Sequence, residues 1–79
     1  MQAPKIEIDT SKLRGRIIEK YRTLGAFAEA MEWAPATVGN KLNGKRYWDQ
    51  AEIVRACSLL DLAPEEIPHY FFTIKVKSL

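Results

Sequence analysis

Apolar residues return at helical spacing along most of this chain. Leu13, Ile17, Ile18 and Tyr21 follow Asp9-Thr10-Ser11, whose carboxylate and hydroxyls are helix-capping groups, and this predicts a first helix over about residues 11–22. Thr23 offers a cap to a second, over about 24–32, in which Phe27, Ala28 and Met31 make a short apolar stripe. Pro35 lacks the amide that goes unpaired in a first turn, so it opens a third helix over about 35–43. There Val38 and Leu42 stand one turn apart, and Asn43-Gly44 supplies a left-handed stop. Asp49 and Glu52 have the spacing of a capping box at the head of a fourth helix over about 49–60, with Ile53, Val54, Cys57 and Leu60 on one stripe. Pro64 begins a short fifth over about 64–70, with Glu65 and Glu66 in the first turn, where the helix dipole favours acids; Pro68 is expected to limit it. Gly15 lies inside the first helix at a cost of roughly 1 kcal/mol relative to Ala.

The two ends of the chain change period. Residues 5–8 and 72–77 alternate polar and apolar, as a strand with one buried face does. An isolated strand cannot satisfy its backbone, which leaves three readings open: pairing within the chain, with Glu7 near Lys75 or Lys77, pairing between two subunits, or two frayed tails. The expected fold is all-α, five short helices with short terminal β-strands as an addition.

Length narrows this further. Seventy-nine residues, 47% of them apolar, suffice for one core, so residues 1–79 are expected to form a single domain. The lone Cys57 allows no disulfide framework, and helix packing must carry the fold. No run approaches the roughly 18 apolar residues that span a bilayer, and the N-terminus has no signal-peptide core. The expectation is a cytoplasmic protein that engages no membrane.

Net charge is only +2, but it is unevenly placed. Lys12, Arg14, Arg16, Lys20 and Arg22 are countered nearby by Glu19 alone, and Lys41, Lys45 and Arg46 form a second basic group. Residues 49–66 carry five acids and one Arg55. A basic and an acidic face suit orientation on a polyanion, although charged faces are commonly just solvated.

The most informative stretch runs from Thr23 to Arg46, two short helices about a tight turn. Phe27-Ala28-Glu29-Ala30-Met31, Thr37 to Lys45, Glu52-Ile53, Leu59 to Leu62, Pro64 to Ile67 and Tyr70-Phe71-Phe72 come one after another in an order that resembles the Cro and cI-type helix-turn-helix family, and within it the short prophage-encoded Cro-like proteins. The resemblance implies a five-helix lambda-repressor-like domain, a double-stranded DNA operator as partner, a homodimer on palindromic sites, and a role in a phage genetic switch. It implies further that helix 35–43 enters the major groove, where an amide such as Asn40 can pair with adenine, with Ala36, Thr37 and Lys41 beside it. Thr23, Lys45, Arg46, Tyr47 and Arg14 would meet phosphates. The chain departs from the family pattern at Glu32, where the turn usually has Gly, at Ala34, where a Ser or Thr often caps, and at Leu24, where a Gln often reaches phosphate.

Other residues offer little chemistry. His69 has no second ligand at metal spacing, Cys57 lies on an apolar stripe without a base in view, and Glu65 and Glu66 point in different directions. Trp33 and Trp48 are expected to close the two ends of the core. Without a phosphate loop, metal cluster or triad, the chain reads as no enzyme, with no cofactor and no small-molecule substrate. The leading expectation is a sequence-specific DNA-binding regulator. The alternative is a protein-binding modulator or antirepressor on the same fold, acting on a partner repressor; Ala36 and Gly39 have little with which to read bases, and the acidic C-terminal third can meet a basic surface. A third reading is the DNA-binding antidote of a toxin pair.

Overall fold

Each predicted helix has a counterpart in the structure, a computed structural model that describes residues 7–75. The order is α1 (Ser11–Tyr21), α2 (Leu24–Ala30), α3 (Pro35–Leu42), α4 (Gln50–Leu59), a 3-10 turn (Pro64–Glu66) and α5 (Ile67–Phe71). The fold is all-α, and its core takes a contribution from every helix: Leu13 and Ile17, Phe27 and Ala28, Val38 and Leu42, Ala56 and Cys57, and Phe71. Phe27, Leu13 and Ile17 are fully buried, each contributing roughly 1.5–3 kcal/mol through the area it withdraws from water.

The caps of α2 and α4 are those the residue types favour. Thr10 before α1 makes no cap bond, its hydroxyl donating to Leu42 O, and the amide of Ser11 is taken by Asp9 instead. Thr23 Oγ1 accepts from Ala26 N at 3.0 Å to start α2. At α4 the box is complete, Glu52 N donating to Asp49 Oδ1 at 2.8 Å and Asp49 N to Glu52 Oε1 at 2.9 Å. Ala34 gives α3 no side-chain cap, and Pro35 at its first position leaves one amide fewer to satisfy. Three residues beside helix ends take a positive φ without being glycine: Arg22 (φ 74°), Glu32 (φ 60°) and Asp61 (φ 54°). Each costs roughly 1–2 kcal/mol. The turn where the Cro and cI-type pattern has Gly is therefore made here by Glu32, whose carboxylate accepts from Arg55 Nη2 at 2.7 Å.

Several local expectations are corrected. Val54 is 65% exposed, so the buried stripe of α4 runs through Ala56 and Cys57 instead. Pro68 sits in the first turn of α5, where a missing amide does no harm, and the helix continues to Phe71. Trp33 and Trp48 do not cap opposite ends of the core. They meet at 5.5 Å between ring centroids, and Trp48 continues edge-on to Phe71 at 5.1 Å, because the 43–49 loop folds back over the α3 side. The terminal segments pair with each other inside the chain through one antiparallel bridge, Ile8 with Ile74, flanked by Asp9 N to Thr73 O (2.7 Å) and Lys75 N to Glu7 O (2.9 Å). That is a single bridge rather than a sheet among the described residues; positions 5–6 and 76–77 of the expected strands lie outside them.

Candidate functional site

Helices α2 and α3 and the turn between them present an outer face built from small side chains. Ala36 is exposed there, Thr37, Gly39 and Asn40 are half-buried, and Glu29 on α2 is exposed. Thr23 is exposed too, with its hydroxyl engaged as the α2 cap. Of the four side chains expected to read bases, three stand on or beside this face.

Lys41 does not. It lies three residues after Val38, hence on the inner side of α3, and its side chain is only 9% exposed. Its Nζ donates to Glu52 Oε1 at 2.6 Å and to the Tyr47 carbonyl at 2.8 Å, and sits 5.2 Å from the centre of the Trp33 ring. A buried ammonium must be paired, and here a carboxylate, a carbonyl and an aromatic face enclose it. The spacing from Val38 is the signal that separates Lys41 from Asn40; Glu52, across the loop in α4, gives no hint of it.

The pair also shapes the segment that leaves α3. Lys45 N and Arg46 N both donate to Asn40 O, at 2.9 and 3.2 Å, and Gly44 takes φ 79°, which an L side chain rarely adopts. With the Tyr47 carbonyl fastened by Lys41, the loop from Asn43 to Trp48 is tied at three points. Its side chains Lys45, Arg46 and Tyr47 point into solvent, Tyr47 at 92% exposure. Opposite stands the N-terminal end of α1, joined to α3 by Thr10 Oγ1, which donates to Leu42 O at 2.8 Å. There Asp9 accepts from Ser11 Oγ and Ser11 N, and those bonds hold its carboxyl below the usual carboxylate range.

Between these two walls and the Ile8–Ile74 bridge lies an open cleft of about 1340 Å³. Arg14, Lys45, Arg46 and Tyr47, four of the five residues expected at phosphates, all line it; Thr23 does not. Two further contributors are Lys75, which the within-chain pairing of the alternating ends sets near Glu7, and the apolar floor of Trp48, Ile53 and Phe72, which no local pattern signals.

Elsewhere the chemistry is sparse. Burial pushes the Cys57 thiol up, away from the thiolate a nucleophile needs. Among the described residues, no three His, Cys, Asp or Glu side chains gather as a metal site requires, and no helix is long and apolar enough to cross a membrane.

The arrangement has counterparts. Residues 6–74 match the model of a family described as protein of unknown function (DUF739). The chain belongs to that family. It is also similar to the modulator of repression (MOR) of the temperate bacteriophage TP901-1 from Lactococcus lactis, whose solution structure aligns with a TM-score of 0.74 at 46% identity, over 82% of this chain and 88% of that one. Among curated proteins none matches. The similarity is thus to a phage protein that modulates repression, whereas membership of the Cro and cI-type helix-turn-helix family is not shown.

Proposed function

We propose that this protein modulates a partner repressor by binding it, rather than reading an operator itself. The reading is carried by the 46% identity to a phage modulator of repression across 88% of that protein. The outer face of α2 and α3 supports it. With Lys41 turned inward, Thr37 and Asn40 are the only polar side chains α3 offers there, and one amide provides roughly 1–3 kcal/mol of base discrimination. The residue series shared with Cro and cI-type proteins then marks a helix-turn-helix scaffold put to protein recognition, acting in the host cytoplasm as a binding protein without catalysis.

The test combines two measurements. The protein is co-expressed with the helix-turn-helix repressor encoded in the same genome, beside a reporter under that repressor's promoter; the expected result is derepression and a stoichiometric complex on co-purification. In parallel, the purified protein alone is offered a random duplex library. Enrichment of a palindrome with half-sites about one helical turn apart would reject the proposal in favour of operator binding by a dimer, the reading that the grouping of Arg14, Lys45 and Arg46 favours.

A further inference from the structure

We infer that the cleft between the α3–α4 loop and the N-terminal end of α1 is where the partner repressor docks, and that the segment it takes is acidic and carries an apolar anchor. The inference rests on the repressor-binding reading and names the surface and the chemistry of that contact.

Four cations line the cleft without a salt bridge among the described residues. Arg14, Lys45 and Arg46 stand on or opposite the loop and Lys75 at the bridge. Of the other described cations Arg16, Lys20, Lys41 and Arg55 each have a salt bridge, with Glu19, Asp61, Glu52 and Glu32, while Lys12 and Arg22, away from the cleft, have none. Two acids also line the cleft: Asp9, engaged by Ser11, and Glu7, which stands with Lys75 at the bridge end. The loop side of the rim is therefore basic, and a patch of one sign is complementary to an anionic ligand.

The floor decides which anion. Between the cations lie Trp48, Ile53 and Phe72, with Tyr47 standing beside them almost wholly in water. A phosphate ridge has no apolar group to bury on that floor. A protein segment with an aromatic or aliphatic side chain flanked by Asp or Glu satisfies both floor and rim, and an exposed tyrosine beside arginine is the composition of an interface hot spot. The loop is tied in place before binding by Lys41, Gly44 and the Asn40 carbonyl, so little ordering cost falls on association. The chain's own flanking residues, 1–6 and 76–79, hold Lys5 and Lys77 and no acidic side chain, so they do not supply the complementary charge.

The experiment measures association and dissociation of the full chain on the immobilised repressor across a salt series. Wild type is compared with Lys45→Glu/Arg46→Glu, with Tyr47→Ala and with Thr37→Ala/Asn40→Ala. The loop positions are exposed, and thermal melts confirm that each variant folds. The double charge reversal is expected to slow association by roughly tenfold or more and to flatten its salt dependence, since rim charges act on the encounter. Tyr47→Ala is expected to speed dissociation, and the Thr37/Asn40 pair to change neither rate. Loss of binding in the Thr37/Asn40 variant with the loop variants unaffected overturns the cleft and leaves the repressor reading standing. Wild type that binds no repressor overturns both. Two outcomes assign the cleft to another occupant and equally overturn the proposal: charge reversal that abolishes duplex binding but spares the repressor, or self-association in sedimentation that the same reversal removes.

Discussion

The outward face of α3 and the loop that leaves its C-terminal end differ in what each can recognise. The face offers Ala36, Thr37, Gly39 and Asn40, neutral and small. The loop offers Lys45, Arg46 and Tyr47, long, charged or aromatic, on a backbone fixed by Lys41 and Asn40. Both come from one stretch, residues 36–47, whose pattern reads as a single DNA-reading element. What separates them is the position of Lys41: one turn after Val38 it must point inward, and there it serves as the brace between the two surfaces rather than as part of either.

Removing that brace is the most severe test. Lys41→Ala removes the side-chain donor from the Tyr47 carbonyl and leaves the Glu52 carboxylate with the Asp49 amide alone, and is expected to lower stability by about 2–3 kcal/mol in urea unfolding. Lys41→Met keeps the packing against Trp33 and should lose about half of that. A double-mutant cycle with Glu52→Gln sharpens the comparison. The coupling is expected to exceed about 1 kcal/mol, whereas the same cycle on the solvent-exposed Lys20–Asp61 pair should give a much smaller value. Equal couplings would mean that Lys41 is solvated and belongs to the outer face after all.

Asp49→Ala acts one step further away. It deletes half the capping box whose other member, Glu52, receives Lys41, and is expected to cost about 1 kcal/mol, with faster amide exchange at Glu52. Smaller again, and of opposite sign, is Gly39→Ala on the thin face. A Cβ built there meets nothing within 4 Å and the residue is helical, so the substitution should raise stability by about 0.5–1 kcal/mol. If the repressor docks in the cleft, its affinity stays unchanged. A loss of binding from that one methyl would put a close backbone approach on the α3 face.

These tests also mark where sequence reasoning stops. The five helices were legible because each has a local signature: Thr23 and Asp49 as caps, Pro35 at a first turn, Gly44 past an end. Two expectations from local pattern failed for a tertiary reason. Val54 fits an apolar stripe but finds no neighbour to cover it, and Trp48 joins Trp33 because the loop folds back, which no local spacing encodes. The candidate site was half legible. Arg14, Lys45, Arg46 and Tyr47 were picked out by charge and position and do converge, yet the recess they share exists only because Ile8 meets Ile74 from the other end of the chain and brings Phe72 and Lys75 alongside. The partner was less legible still, since the same cations suit phosphate and carboxylate, and the apolar floor that separates those two is a product of the fold.

The least effect is expected at the acidic end of α4, the region furthest in character from the basic loop. Asp61 accepts from Lys20 Nζ, and that bond, aided by the charges of Lys20 and Arg16, holds its carboxyl below the ordinary value of 3.8. A carboxyl whose folded pKa is depressed adds stability that is present above its unfolded pKa and lost as pH falls through the folded one. Asp61→Asn is the suitable comparison, because Asn tolerates the left-handed φ of 54° that this position requires. Wild type should therefore melt slightly above Asp61→Asn at about pH 7, with the gap closing as the pH drops below about 4 and disappearing in strong acid. At an exposed site the gap also shrinks with added salt. A difference that persists in acid would show that Asp61 contributes through the geometry of the helix end alone, and that the ion pair with Lys20 adds nothing to the fold.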